Sequence, residues 1–401
     1  MAHISFCWEL GGGLGHAGRI RALALPLIAR GHRVSLVLRD LVLPRRLLAE
    51  LGLPALQAPL WLHSVSGLPP QPASLAEILL GCGYLDPDGL AGLCGGWRAL
   101  FERDRPDLIV ADYAPTALLA ARSLGLRSAA VGPGFSVPPA AAPLPQFALQ
   151  GEVAPARLAA AEARLLASAN AVLDEQSAAP LAHACDLLRG DDTLLCTWPE
   201  LDHYGRTATT EWLGPNLPAD TGVAPDWPGG QGPRAFVYFP QPAPEQPDCL
   251  AALLRQGCRV LCYMPAVAAG KPPPLTHAAL RYAHAPVALR RAFEDCALFV
   301  GMAGEASVTR ALLGGVPALL LPHSAESFLL ARRVRQLGAG INAREFAPAA
   351  GQGRDWDGMV RALLGGARHR AVAQDFARRY RGYQDGEQAA LVAARLEALL
   401  P

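Results

Sequence analysis

A buried strand that runs into a glycine loop and then into an amphipathic helix is the feature that most narrows what this chain can become. His3–Trp8 (HISFCW) reads as the strand, residues 11–18 (GGGLGHAG) as the loop and Arg19–Arg30 as the helix. Ile20, Leu23, Ala24, Leu27 and Ile28 recur in that helix at spacings of three and four, which leaves one face apolar. Gly31 stops the helix, and Arg33–Leu38 (RVSLVL) is the next strand. Parallel strands need a crossover of this length, so the unit predicts a parallel sheet covered by helices. The alternation continues through a strand at Asp107–Ala111, a helix at Thr116–Leu124 and a strand at Ser128–Val131.

At residues 214–234 (GPNLPADTGVAPDWPGGQGPR) the periodicity stops, and the Gly- and Pro-rich composition predicts a linker. The alternation then restarts. Strands are expected at Ala235–Phe239, Arg259–Tyr263, Leu298–Val300 and Pro317–Leu321, and helices near Asp248–Gln256, at Ser307–Leu313 and at Gln388–Leu400. The expected organisation is an N-terminal Rossmann-like domain (1–215), a linker (216–234), a C-terminal Rossmann-like domain (235–385) and a C-terminal helix (386–401) packing back on the first domain. The fold class is α/β, with two Rossmann-like domains facing a cleft. With 401 residues, 51% hydrophobic and 18% charged, the chain has the apolar material for two cores and is not intrinsically disordered. Lys+Arg (36) nearly balance Asp+Glu (35), which argues against a nucleic-acid partner. Nine scattered cysteines without a Cys-x-x-Cys pair signal neither a disulfide framework nor a zinc site. The first residues lack a basic leader and no apolar run spans a bilayer, so no signal peptide or transmembrane segment is expected, and a cytoplasmic location is. The segment 133–146, rich in Pro and Ala, reads as a surface loop.

The glycine loop is where chemistry is expected. Successive glycines let the backbone approach a ligand, and the following helix offers free N–H groups. Gly13–Gly18 is a literal G-x-G-x-x-G, with Asp40 near the end of the second strand. Glu9, Leu10, Gly11 and Gly12 make the turn longer than a dehydrogenase turn, which argues against a nicotinamide or flavin site. His16 lies at the loop-to-helix junction, where a neutral imidazole can accept a proton; a packing role fits the spacing equally well. Asp112 ends the strand DLIVA at the carboxyl edge where open α/β sheets hold ligands, and an N-cap is its structural alternative. If the two met, the carboxylate would orient the imidazole as in a general-base dyad. Asp86-Pro-Asp88 is a literal D-x-D but reads as a turn, and Asp191-Asp192 as a loop, so no metal is expected.

These residues carry a resemblance. GGGLGHAGRIRALALPLIARGHRV, followed by VADYAPTALLAARSLGLR, resembles the acceptor half of family 1 and related GT-B glycosyltransferases. Those include plant and bacterial UDP-glycosyltransferases and the peptidoglycan N-acetylglucosaminyltransferase. Trp198–Leu201 (WPEL) and Trp212–Pro215 (WLGP) resemble the approach to their linker. FVGMAGEASVTRALLGGVPALLLPHSAESFLLARRV resembles their nucleotide-sugar motif, best kept at Gly304, Ser307, Gly315-Val316-Pro317 and Pro322.

The resemblance implies an inverting, metal-independent hexosyl-type glycosyltransferase that needs no cofactor. Its donor would be a UDP- or dTDP-sugar, and its acceptor a hydroxyl of unknown identity. It implies His16 as the base, with Asp112 orienting it, and a donor site of Gly15, Met302, Gly304, Glu305, Ala306, Ser307, Arg310, Glu326 and Ser327. Several of these positions depart from the family pattern. Its diphosphate-binding His falls on Met302, its ribose-binding Glu on Arg310, its acidic-Gln pair on Glu326-Ser327, and its Gly-Ser turn on Pro240-Gln241. Arg has donors and no acceptor, so position 310 cannot bond a ribose hydroxyl as a carboxylate would. The Gly304–Ser307 turn still offers backbone amides to a diphosphate. The departures keep two other readings open, a non-catalytic binding protein on the same fold and a nucleotide-sugar 2-epimerase.

Overall fold

Two six-stranded parallel sheets organise the computed structural model, which describes residues 1–207, 211–217, 219–345, 353–384 and 386–401. The chain divides into two units, Met1–Pro218 with Gln384–Pro401, and Ala219–Tyr383. The first unit contains β1 (His3–Trp8), β2 (Arg33–Leu38), β3 (Ala55–Gln57), β4 (Leu108–Asp112), β5 (Ser128–Gly132) and β6 (Asp192–Leu195), in the order β3-β2-β1-β4-β5-β6. The second contains β7 (Arg234–Tyr238), β8 (Arg259–Tyr263), β9 (Leu280–Tyr282), β10 (Leu298–Gly301), β11 (Ala318–Leu320) and β12 (Gly340–Asn342), in the order β12-β11-β10-β7-β8-β9. Read from β9, the second sheet repeats the topology of the first. In both, the order reverses between the first and fourth strands, and open α/β sheets hold ligands outside the carboxyl ends at that point.

Register decides what lies there. Trp8 pairs with Asp112 across β1 and β4, and Tyr238 pairs with Gly301 across β7 and β10. Both faces of β1 are buried, so its HISFCW run packs below helix α1 (Leu14–Ala29). Ile4, Phe6 and Trp8 join Ile20, Leu23 and Leu27 of α1 in one core. The helix α1 starts at Leu14, five residues before the expected Arg19. Burial of His16, Ala17 and Gly18 overrides the weak helix propensity of the two glycines in that first turn.

Four strands that periodicity did not announce are β3, β6, β9 and β12. They are the four sheet edges, three or four residues long, too short to establish a pattern. Asp192, expected in a loop, opens β6. Asp86-Pro87-Asp88, expected as a turn, starts helix α2 (Pro87–Asp104), with Pro87 in the first position that its ring favours. The expected surface loop 133–146 is buried from Pro133 to Pro138. Gly134 allows this, because a Cβ there would lie 2.3 Å from the carboxylate of the buried Asp202.

Part of the expected linker is bonded into the second unit. Asp220 accepts hydrogen bonds from the backbone of Leu289 and Arg290, and Val223 bridges to Val287. The helices that follow include α3 (Pro115–Ser123), α4 (Gln246–Arg255), α5 (Leu289–Glu294), α6 (Glu305–Leu313), α7 (Ala325–Leu337), α8 (Ala367–Arg379) and α9 (Glu387–Glu397), of which α3 and α9 belong to the first unit. Val392, Ala393 and Leu396 complete the core beside α1, and Glu397 bonds Arg30 and His32.

Candidate active site

The end of β1 and the end of β4 deliver the site of the first unit. Asp112 is the last residue of β4 and has no solvent exposure. Its carboxylate accepts Nδ1 of His16 at 3.1 Å on Oδ1, and Nη1 of Arg19 reaches both oxygens at 2.8 Å. His16 and Arg19 stand one turn apart on α1, so one face of one helix supplies both partners. Burial on its own would raise the Asp112 pKa, but the Arg19 guanidinium and then the His16 ring hold it below the usual carboxylate range.

The imidazole is held by its neighbours. It stacks on Trp8 with centroids 5.1 Å apart and planes at 16°, and faces Tyr113 at 6.4 Å. Tyr113 packs edge-on against Phe135, the buried residue of the segment expected to be a loop. With Nδ1 committed to Asp112, Nε2 is the nitrogen left for an incoming proton. A Cβ on Gly11 would lie 2.5 Å from Nε2, so glycine is required there to leave the nitrogen uncovered, and its φ of +76° demands glycine as well.

Glu9 ties the same loop to the far side of the site. Its carboxylate accepts Thr116 N at 2.8 Å and Thr116 Oγ1 at 2.6 Å, at the N-terminus of α3. Thr116 in turn bonds the hydroxyl of Tyr84 at 2.9 Å, and Leu10 N donates to Tyr113 O at 2.9 Å. Burial raises the Glu9 pKa to about 7 against the lowering effect of those hydrogen bonds.

In the second unit the corresponding turn leaves β10. Met302 is buried, Ala303 takes a left-handed φ of +56°, and Gly304 begins α6. A non-glycine residue at positive φ is strained, and Tyr113 after β4 is strained in the same way at +50°. Each sheet therefore bends sharply behind its fourth strand. The two helices that follow are finished differently. The N-terminus of α3 holds the Glu9 carboxyl, whereas the N-cap of α6 is Gly304, which has no side chain of its own to offer.

The remaining expected donor residues lie apart from that turn. Glu326 and Ser327 are in the first turn of α7, behind the neighbouring strand β11. The Ser327 hydroxyl is engaged in capping that helix, bonding Ser324 Oγ at 2.9 Å and accepting the amides of His323 and Ser324. Arg310 is buried one and a half turns into α6, where it lines a cavity of about 440 Å³ with Arg290, Glu294 and Tyr380; none of residues 302–307 lines it. Gly15 lies in the first turn of α1, one residue before His16. Among the described residues no group of His, Cys, Asp and Glu is arranged to hold a metal ion.

Sequence reading missed Arg19, Gly11 and Glu9. The i, i+3 spacing of His16 and Arg19 was the available signal for the first. For Glu9 there was none, since its partner Thr116 is 107 residues away.

No protein-family model and no curated protein sequence matches the chain. Solved structures do. The glycosyltransferase of kitacinnamycin superposes with a TM-score of 0.70 at 21% identity, covering 100% of this chain and 99% of that one. CalG4, the calicheamicin glycosyltransferase, gives 0.69 at 18% identity over 99% and 98%. Glycosyltransferase VinC, in complex with DTDP, gives 0.63 at 17% identity over 99% of both chains. The chain has the GT-B fold, with two Rossmann-like domains.

The raised pKa of Glu9 has a measurable consequence. Its carboxyl stays protonated in the folded protein up to about pH 7, but ionises near the ordinary value of 4.5 once unfolded. Its contribution is fully present below the unfolded value and is lost as pH rises through the folded one, a change of up to about 3 kcal/mol. In urea unfolding, the stability of wild type relative to Glu9→Gln is expected to fall between about pH 5 and about pH 8. A difference that stays constant or grows over that range contradicts the assignment.

Proposed function

We propose that the chain is an inverting, metal-independent glycosyltransferase, which moves a sugar from a nucleotide-diphosphate donor to an acceptor hydroxyl. The observation that carries this reading is His16, fixed through Nδ1 by a buried Asp112 with Nε2 uncovered at Gly11, on a GT-B fold. The acceptor hydroxyl gives its proton to Nε2 as its oxygen attacks the anomeric carbon. The bond to the diphosphate oxygen breaks on the opposite face, and the nucleoside diphosphate leaves with the electron pair. Asp112 keeps its charge and stabilises the imidazolium that forms. The helix N-terminus at Gly304–Ser307 suits the diphosphate, whose developing charge is best met by fixed dipoles. Met302 in place of a histidine puts that task on the backbone.

His16→Ala tests the base. Release of nucleoside diphosphate from a nucleotide sugar, with a panel of hydroxyl acceptors, should fall roughly 10²–10⁴-fold while unfolding remains a single cooperative transition. A variant that keeps more than about a tenth of the wild-type rate removes His16 from the base role.

The resemblance, and not the cavity that Arg310 lines, assigns position 310 to the donor ribose, and competition binding decides between the two. Without a carboxylate there, a ribose 2′-hydroxyl lacks one acceptor, and a deoxyribose, which has no 2′-hydroxyl, loses less. One such bond is worth roughly 0.5–1.5 kcal/mol, so dTDP is expected to bind at least as well as UDP. Arg310→Glu should move the ratio several-fold toward UDP in competition binding. A wild type that strongly prefers UDP, with a ratio unchanged in Arg310→Glu, takes residue 310 out of ribose recognition.

A further inference from the structure

The apolar side chains that the fold leaves in water gather at one edge of the first sheet. Apart from Met1, Leu25 and Leu391, the exposed large hydrophobic residues among those described are Leu14, Val42, Leu43 and Leu62. Leu14 follows β1, Val42 and Leu43 follow β2, and Leu62 follows β3. These three strands are adjacent and parallel, so all four side chains leave the same carboxyl edge. Val42 is 85% exposed and Leu62 84%, close to what an unfolded chain would show, and Leu43 is 53% exposed. Isolated exposed leucines are ordinary, but a concentration of them on one edge marks an interaction surface.

The tip is built rather than loose. Asp40 Oδ1 accepts the amides of Val42 at 2.7 Å and Leu43 at 3.0 Å, which fixes the turn and aims the carboxylate at the backbone. Leu41 on one side and Leu48 on the other are packed on the core. Val42 and Leu43 therefore project from a braced loop. The residues beside them, Arg39, Arg45 and Arg46, are exposed and positive. Apolar tips flanked by exposed arginines suit a layer that is apolar inside and anionic at its surface. No helix among the described residues is long and apolar enough to cross a membrane, so contact of this kind is peripheral.

We propose that this edge docks on an anionic lipid bilayer. Val42, Leu43 and Leu62 enter the headgroup layer, and Arg45 and Arg46 meet the lipid phosphates.

The test is sedimentation of the full-length protein with vesicles of equal parts phosphatidylglycerol and phosphatidylcholine, against vesicles of phosphatidylcholine alone. Wild type is expected to bind the anionic vesicles and to be released by high salt. Val42→Asp/Leu62→Asp should lower the partition coefficient at least about tenfold, given the apolar area withdrawn. Arg45→Glu/Arg46→Glu should lower it about fivefold or more per residue on anionic vesicles, and little on neutral ones. All four positions are exposed, so both variants should fold as wild type does. Failure of wild type to bind anionic vesicles overturns the proposal, as does binding that both variants leave unchanged. Light scattering that finds a wild-type dimer, dissociated by Val42→Asp/Leu62→Asp and without vesicle binding, assigns the surface to a second copy and also overturns it.

Discussion

The Asp112 carboxylate is a charge withdrawn from water, and the carboxyl edge of the first sheet is arranged around it. A buried charge persists only if paired and hydrogen-bonded, and removing one partner of such a pair typically costs about 3–5 kcal/mol. Here α1 supplies both partners, and the strand register brings Trp8 beside Asp112 so that the indole supports the imidazole. Arg19 keeps the carboxylate ionised and immobile, and an immobile carboxylate fixes the plane and the tautomer of His16. Glu9 holds the other flank, joining the end of β1 to the start of α3, so that the glycine loop is anchored on both sides.

The two units solve one problem in two ways. Each repeats the same strand order, bends through a strained residue behind its fourth strand, and starts a helix there. Helix N-termini present orphan amides that an anion satisfies. The first unit satisfies them with the Glu9 carboxyl and holds the His16 imidazole at its switch point. The second starts its helix at Gly304, where an added Cβ would meet nothing within 4 Å.

Much of the architecture was legible because fully buried central strands are long apolar runs. His3–Trp8 and Arg259–Tyr263 fall where the pattern places them, and the alternation of strand and helix gives the parallel sheets. The edge strands were illegible for a physical reason: Ala55–Gln57 or Gly340–Asn342 is shorter than the window over which any period exists. The start of α1 was obscured by Gly15 and Gly18, whose cost in a helix is offset by burial that local sequence does not encode. His16 and Asp112 could be nominated from their places at strand ends, and the structure brings them together. What assigns Arg19 and Glu9 is contact across 93 and 107 residues, which periodicity cannot see. Phe135 was hidden likewise, because a Pro-rich segment looks like a surface until Gly134 lets it pack against Asp202.

The proposed chemistry requires that the His16 ring carry a proton on Nδ1, toward Asp112, and keep the Nε2 lone pair for an acceptor. The tautomer is read directly from two-bond ¹⁵N–¹H correlations of ¹⁵N-histidine-labelled protein, with His16→Gln identifying the resonance. The account predicts that the neutral ring of His16 is protonated at Nδ1, with Nε2 at the shift of an unprotonated nitrogen, and that Asp112→Asn disturbs this preference. A neutral His16 protonated at Nε2 in wild type would contradict it, because the nitrogen facing the acceptor would then have no lone pair to give.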